Sequence, residues 1–360
     1  MITVDADYLT KEADPNHHYN VYAYIYRSAT PSDYAVYDSS KLLDVSIISG
    51  IGANEGLSFG GCYCKELDIS VIIDNAADEP PRGGRIKIVQ TVENGSGVES
   101  LVSYPMGTFY IDSREKDEVN NVYTFRCYDA MAQLEVADSK IESVRDPLLY
   151  SKKVCTNYLT SYGVGWANDN DSLLTGATAI PEWYFTNKEH TVRETLGAIA
   201  LSVGASWVID SDSKLRLIYQ GPSSGWAPSN SIVQTFTRGD LAQIQSLTLI
   251  GDNGTYGDGD PTVSGFHIKQ NLTYADQALA TSCYALIAGD AYIPYNITYA
   301  EIPPYIEAGD TIALAVGGNT YNVPIYSMRR YCDSAMYADI SLAVNQGSSH
   351  EFLLPSNYYI

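Results

Sequence analysis

Short runs in which every second residue is apolar constrain the fold of this 360-residue chain most strongly. They fill two stretches, residues 41–128 and the last third of the chain, and turn-forming residues separate them. In the last third, two prolines at the start of residues 303–312 fix the entry of a turn, Gly309 permits a tight reversal and a strand follows. Evenly spaced strands with turns between them predict a barrel or a sandwich.

The clearest alternation lies in the first stretch. Its apolar positions, which we expect to face a core, are Leu67, Ile69, Val71, Ile73, Ile86, Ile88, Tyr123, Phe125 and Cys127. Beyond residue 128 the pattern becomes helical, and its apolar side carries Met131, Leu134 and Val136. A strand-rich domain therefore ends close to this change of period.

Helix signals separate the two strand-rich stretches. Asp146 followed by Pro147 is typical of a helix start, and Thr191 with Glu194 fits a capping box. Two short strands follow the second helix before residue 220, and the loop at residues 221–225 closes this region. The combination predicts a small α+β insert.

We therefore predict a mainly β protein with an α+β insert. Its expected parts are an N-terminal arm or edge segment at residues 1–40, a first barrel at 41–137, the α+β insert at 138–235, and a second barrel with one helix at 236–360. The helix of the second barrel is expected near residues 273–287, and its buried face would carry Leu279, Cys283 and Leu286.

Tyrosine is over-represented, with 30 Tyr against 7 Phe and 4 Trp. Its ring packs while its hydroxyl reaches water, which suits strands and half-buried surfaces. In residues 1–40, Tyr22, Tyr24 and Tyr26 alternate with smaller residues and predict one strand of an arm or edge hairpin. Large protein interfaces and carbohydrate binding both use tyrosine, so composition leaves these two functions open.

The formal net charge of −21 disfavours nucleic-acid binding, because the phosphate backbone is repelled. No apolar run is long enough to span a bilayer, and the first seven residues lack the regions of a secretory signal. The six cysteines show no paired Cys-x-x-Cys spacing, so we expect reduced thiols and no zinc site. These features fit assembly in a cytoplasm.

No motif in the sequence predicts catalysis, and we assign no catalytic, cofactor-binding or metal-binding residue. The tandem histidines at 17–18 lack a third ligand nearby and fit an exposed loop, and His190 fits a local turn. The acidic segments 168–171 and 252–260 are rich in oxygen ligands but lack the calcium-loop spacing, so flexible turns are favoured.

Three segments, in order along the chain, resemble the central hub of phage tail tips and baseplates. The family includes the N-terminal hub portion of siphophage tail-associated lysins and the hub trimer of contractile tails. The segments are residues 56–69, residues 107–112 leading to 128–131, and residues 205–217 together with the turn at 304–310. The resemblance spans roughly residues 40–345, and order and spacing make it more specific than any single segment.

The resemblance implies two tube-like β-barrel domains joined by a small mixed α+β domain. It implies a homotrimer whose six barrels form a ring that joins a six-fold tail tube to a three-fold tip. The implied partners are a distal tail protein ring or tail tube above, a tape measure protein in the lumen, and tip, fibre or spike proteins below. Genomic DNA would pass through without specific binding, and no cofactor is implied.

The family has no catalytic residues in this portion, so the resemblance implies a structural role in the virion tail tip after assembly in the host cytoplasm. Two other functions stay open at the sequence level. One is a tail-tip cell-wall hydrolase, since any Asp and Glu can meet in space. The other is a surface adhesin that binds glycans through its tyrosines.

Overall fold

The computed structural model describes most of the chain. The described residues are 5–51, 59–138, 140–141, 143–187, 190–219, 233–239, 242–251, 254–272, 275–292, 294–299, 302–316, 319–332 and 338–342. The beginning of the first resemblance segment and the loop at 221–225 lie outside these residues.

The first β block is a run of antiparallel strands whose buried side chains form one core. Helix α1 (Ala6–Glu12) precedes it, and its strands are β1 (His18–Tyr26), β2 (Tyr34–Tyr37), β3 (Leu42–Gly50), β4 (Glu66–Ile72), β5 (Arg85–Glu93), β6 (Tyr104–Asp117) and β7 (Val122–Tyr128). Strands β1 and β2 form the predicted edge hairpin. Every residue that the alternation predicted to face the core of this block is buried, so the period-two pattern is confirmed here.

The middle of the chain is the predicted α+β insert. Its elements are α2 (Pro147–Val154), β8 (Gly165–Trp166), α3 (Asn170–Leu173), α4 (Glu182–Asn187), α5 (Val192–Leu201), β9 (Ala205–Ile209) and β10 (Lys214–Tyr219). Asp146 caps α2 through Leu149 N, and Thr191 and Glu194 form the predicted capping box at the start of α5. Strands β8, β10 and β9 form a small sheet in that order.

The last third contains strands and one helix. They are β11 (Val233–Arg238), β12 (Ala242–Gly251), β13 (Gly254–Gly259), β14 (Phe266–Asn271), α6 (Gln277–Ile287), β15 (Ala291–Tyr292), β16 (Tyr295–Tyr299), β17 (Thr311–Val316), β18 (Asn319–Pro324), β19 (Ser327–Tyr331) and β20 (Ala338–Leu342). Most buried apolar residues of this third share one core with those of the insert, whereas Cys332 packs in the core of the first β block. We call β11, β16, β20 and β19 the last β block.

One eleven-stranded sheet runs through both β blocks, in the order β11-β16-β20-β19-β3-β4-β7-β6-β5-β1-β2. The blocks join where β19 pairs antiparallel with β3, which brings Arg330 opposite Ile47. Among the described residues the order is an open path that ends at β2 and β11. The sheet therefore places the first and last parts of the chain side by side, and the predicted mainly β class with an α+β insert is confirmed.

Two predicted core positions are wrong. Val136 is 44% exposed, because the helical segment after β7 is a short 3₁₀ turn, Ala130–Leu134, that ends before it. Leu286 is also 44% exposed, since the buried face of α6 is centred on Ala280, Cys283 and Ile287. In both cases the apolar residue lies just beyond the segment or face that tertiary packing uses.

The acidic segment 252–260 is not a flexible turn where the structure describes it. Residues 254–259 form β13, which pairs antiparallel with β12 from Ser246 to Gly251. Backbone hydrogen bonds to β12 stabilise this Gly- and Asp-rich strand, and they outweigh the low β-propensity of its residues. Residues 252 and 253 lie outside the described residues.

Candidate functional site

The most distinctive site is a cluster of buried charges at the contact of the two β blocks. Strands β3 and β19 pair there. The turn at residues 303–310 contacts Arg330 of β19, and the turn between β9 and β10 contacts Glu307 through Ser211. We call this region the junction and define it by Lys65, Asp129, Ser211, the turn 303–310 and Arg330.

The turn at 303–310 has a conformation that requires glycine. Gly309 has φ of 96°, and its N–H donates to Ile325 O at 2.7 Å. A Cβ at this position would lie 2.7 Å from the Ile218 side chain. The Glu307 N–H donates to the Asp310 carboxylate at 2.9 Å. Left-handed backbone and close packing together select glycine, and the turn fixes the position of Glu307.

Glu307 forms a buried ion pair with Lys65, a residue 242 positions earlier in the chain. Lys65 Nζ donates to Glu307 Oε1 at 2.7 Å, and the Ser211 N–H donates to the same oxygen at 3.1 Å. The Lys65 and Glu307 side chains are only 11% and 18% exposed. Burial alone would raise the pKa of Glu307, but the charge and hydrogen bond of Lys65 lower it below its usual range. This carboxylate therefore joins the first β block, the insert and the last third.

Arg330 is buried in β19, and its side chain donates hydrogen bonds to carbonyl groups of the turn at 303–310. Its guanidinium donates to Pro303 O at 3.1 Å, Pro304 O at 3.1 Å and Ile306 O at 2.6 Å. Burial lowers the pKa of Arg330, because desolvation disfavours the charged form. In the described residues, no carboxylate oxygen lies within 4.0 Å of this guanidinium.

Two more buried carboxylates belong to this region, Asp129 within the junction and Asp210 beside it. Asp129 accepts hydrogen bonds from Lys65 N and Met131 N, both at 3.0 Å, and burial raises its pKa to about 6. Asp210 pairs with Arg216 at 3.3 Å, and burial raises the pKa of Asp210 as well. The junction thus contains several buried charges, and removal of one partner of the Lys65–Glu307 pair would leave the other charge uncompensated.

Helix α1 makes side-chain hydrogen bonds in the same region. Glu12 accepts hydrogen bonds from Tyr19 OH at 2.9 Å and from Tyr305 OH at 3.0 Å. Tyr8 is buried with its ring centroid 6.1 Å from that of Tyr104. The N-terminal helix therefore connects the first β block to the turn at 303–310.

The structure gives the histidines and the acidic segment 168–171 structural surroundings. His18 is exposed as predicted, but it opens β1 and does not lie in a loop. The buried His190 ring stacks on Tyr184 with centroids 3.8 Å apart. Asn170 opens α3 and is fully buried, where its side chain bonds Leu215 O and Leu217 N of β10 at 2.8 Å each. The prediction of a flexible turn is therefore wrong at Asn170, because its side-chain amide makes the hydrogen bonds to the β10 backbone that a neighbouring strand would otherwise make.

The described part of the chain lacks both a metal-binding cluster and a membrane-spanning helix. No group of three or more His, Cys, Asp or Glu side chains there could hold a metal ion. The longest described helix, α6, has 11 residues, and no described helix has the length and hydropathy of a membrane span. All six cysteines are free thiols, and five of them are buried.

One serine–histidine contact is relevant to the hydrolase alternative. Ser246 Oγ lies 2.9 Å from His267 Nδ1. The two residues are cross-strand partners on the parallel strands β12 and β14, and Ser246 is buried. A hydrolytic serine must reach substrate, and this position inside a sheet favours a structural hydrogen bond.

The junction was not predicted from the sequence. Arg330 follows Met328 by two residues, which places both side chains on the buried side of a strand. A charged residue at a position where the alternation predicts an apolar one was therefore the available signal. Lys65 and Glu307 carried no comparable local signal, because the partner of each lies 242 positions away in the chain.

Comparisons with known proteins support the fold. No protein-family model matches the sequence, and no curated protein matches it. A tail protein from Neisseria meningitidis MC58 is 11% identical with a TM-score of 0.52, over 91% of this chain and 96% of that one. The 43 kDa tail protein of prophage MuSo2 from Shewanella oneidensis is 13% identical with a TM-score of 0.51, over 90% and 97%.

A third similar structure is a chain of the Francisella PdpA-VgrG complex. It is 8% identical with a TM-score of 0.50, over 94% of this chain and 61% of that one. At these identities the likeness establishes the fold. The chain therefore has the fold of these tail proteins and of the PdpA-VgrG chain, as its resemblance to tail hubs predicts.

Proposed function

We propose that this chain is a structural hub protein of a bacteriophage tail tip or baseplate. The observation that carries the proposal is the eleven-stranded sheet, which sets the first and last β blocks side by side in a chain with the fold of tail proteins. The buried junction favours a permanent arrangement of these parts over a transient contact, since the Lys65–Glu307 pair forms only when the first β block and the last third meet.

The proposed assembly is a homotrimer. If each block curls into a tube-like barrel, three chains place six barrels around one channel, and this ring can join a six-fold tail tube to a three-fold tip. Such an assembly is closed and cyclic, as most oligomers of identical chains are. The domain boundaries at residues 40, 137 and 235 remain predictions within this proposal.

The acidic composition suits a channel for DNA. A net charge of −21 per chain would repel the phosphate backbone if part of it lines the lumen, so genomic DNA would pass without binding. The proposed neighbours are a distal tail protein ring or the tail tube above, the tape measure protein in the lumen, and tip, fibre or spike proteins below. The proposed location is the virion tail tip, after assembly in the host cytoplasm.

The decisive experiment is the oligomeric state and location of the full chain. Light scattering and electron microscopy of the purified protein, or of tail particles that contain it, should show rings of three chains, and antibody labelling should mark the tail tip. A protein that stays monomeric at high concentration and is absent from tail particles would contradict the proposal.

We propose no enzymatic activity, and two alternatives have their own tests. The Ser246–His267 contact gives the hydrolase alternative its test, because a clear zone on a cell-wall zymogram that is lost in Ser246→Ala would support it. An aromatic cluster favours the adhesin: Tyr34 is exposed, its ring lies 5.1 Å from that of Tyr24, and Arg85 stacks on Tyr26 at 3.7 Å. Glycan-array binding lost in Tyr34→Ala would support that function.

A further inference from the structure

The loop between β5 and β6 presents a group of apolar side chains to water. Leu101 is 89% exposed, and Val98 and Val102 of the same loop are exposed as well. Single exposed apolar residues are normal on a protein surface, but a group of them marks an interaction site in many proteins. We call these three residues the apolar loop surface.

Hydrogen bonds fix the conformation of this loop. Ser100 N donates to Val92 O at 2.7 Å, and Ser100 Oγ donates to Val102 O at 2.9 Å. Asn94 N donates to Val98 O at 3.1 Å, and Val98 N donates to Asn94 Oδ1 at 3.0 Å. A preorganised loop loses little conformational entropy when a partner binds, so more of the energy of apolar burial remains as affinity.

Carboxylates of the N-terminal segment support the same loop. Asp7 Oδ2 of α1 accepts from Leu101 N at 2.9 Å, and Asp14 Oδ2 accepts from Gly95 N at 3.2 Å. The exposed apolar group and these acidic side chains are therefore neighbours on one surface.

The charge around the apolar loop surface is negative. Residues 5–18 contain four carboxylates, one lysine and two histidines, and residues 93–103 contain two carboxylates and no basic residue. The lysine, Lys11, is already paired with Asp7. Even with both histidines protonated, acidic groups outnumber basic ones, so a partner with basic groups around its contact site is favoured.

We propose that the apolar loop surface docks into an apolar pocket of another protein, and that lysine or arginine side chains form the rim of this pocket. The apolar side chains would supply most of the affinity, and the carboxylates beside them would select the basic rim. A second copy of this chain fits less well, because its 43 acidic residues against 22 basic ones favour like-charge contact here. The proposal does not depend on the hub function, since it concerns this loop and its chemistry alone.

Site-specific cross-linking of the full chain identifies the occupant. The photoreactive amino acid p-benzoylphenylalanine replaces Val98, which leaves Leu101 intact, and the chain is irradiated in the cells that naturally produce it. Mass spectrometry should find a cross-link to another protein, in a segment that combines apolar residues with lysine or arginine. A cross-link to a second copy of this chain, a cross-linked segment without basic residues, or no cross-link at all would overturn the proposal.

The affinity for the cross-linked protein then tests the role of Leu101. Leu101→Ala should weaken binding about 10- to 100-fold, as expected when a leucine that becomes buried is truncated. Raising NaCl from about 50 mM to about 300 mM should weaken binding about 3-fold, because salt screens the carboxylates and the basic rim.

Val119→Ala is the matched control, since Val119 is also 89% exposed but lies in the turn between β6 and β7. Its affinity should equal that of the natural protein, and both variants should keep the natural Tm because neither side chain is buried. An equal loss of affinity in the two variants would overturn the proposal, and so would binding that does not change with salt.

Discussion

Glu307→Gln tests the energetic role of the junction. The substitution keeps the shape of the side chain and an oxygen that can accept from the Ser211 N–H, now 3.1 Å from Glu307 Oε1. It removes the negative charge that compensates Lys65, whose side chain is 11% exposed. The experiment therefore isolates the cost of an uncompensated buried ammonium group.

The expected loss is about 3 kcal/mol in the free energy of unfolding. Breaking a buried pair by removal of one partner costs about 3–5 kcal/mol, and we take the lower end because Glu307 is 18% exposed. Lys65→Met should cost less, about 2 kcal/mol, since the Ser211 N–H still donates to the carboxylate. The double variant should be more stable than the sum of the two losses predicts, with a coupling energy of about 2 kcal/mol.

Urea unfolding followed by tryptophan fluorescence measures these changes. Glu182→Gln is the matched control, because the Arg145–Glu182 pair has a similar separation of 3.2 Å but side chains that are 52% and 81% exposed. That control should change stability by less than about 0.5 kcal/mol. If Glu307→Gln changes stability no more than Glu182→Gln does, the buried charges of the junction do not depend on one another for stability.

Three further predictions concern single positions. Gly309→Ala should lose about 2–4 kcal/mol in urea unfolding, because φ is 96° and the new Cβ would lie 2.7 Å from Ile218; a loss below about 1 kcal/mol would contradict the turn geometry. Asp129 has a folded pKa raised from 3.8 to about 6, so its proton favours the folded state below pH 4 and this contribution is lost as pH rises through 6. Asp129→Asn should therefore gain stability relative to the natural protein by about 2 kcal/mol between pH 4 and pH 7, and a constant difference across unfolding curves at these pH values would refute the shift. Thr191→Ala removes the capping box of α5 and should lower Tm by about 2–4 °C in a thermal melt, whereas an unchanged Tm would show that the cap is dispensable.

Local patterns predicted much of the fold. Alternation in β4, β5 and β7 identified core residues such as Leu67 and Phe125, because one face of each strand is buried and the other is not. The sequence also predicted the capping box at Thr191 and the helix start at Asp146–Pro147, since a helix cap depends only on neighbours within one helical turn. Where the determinant is local, the sequence is sufficient.

Long-range contacts could not be predicted from local patterns. The pairing of β3 with β19 joins strands that are far apart in the chain, and no local pattern specifies which strands become neighbours. Lys65 and Glu307 are 242 positions apart, and their buried pair depends on this long-range arrangement. Asn170 was assigned to a flexible turn for the same reason, since its partners, Leu215 and Leu217, arrive from another element.

Electron microscopy of the tail tip at a resolution that separates strands tests the hub proposal most directly. The account predicts three copies of this chain around the channel, with the first and last β blocks of each copy alternating as six adjacent units. Six copies in the ring, a single copy, or a ring built from only one of the two blocks would contradict it.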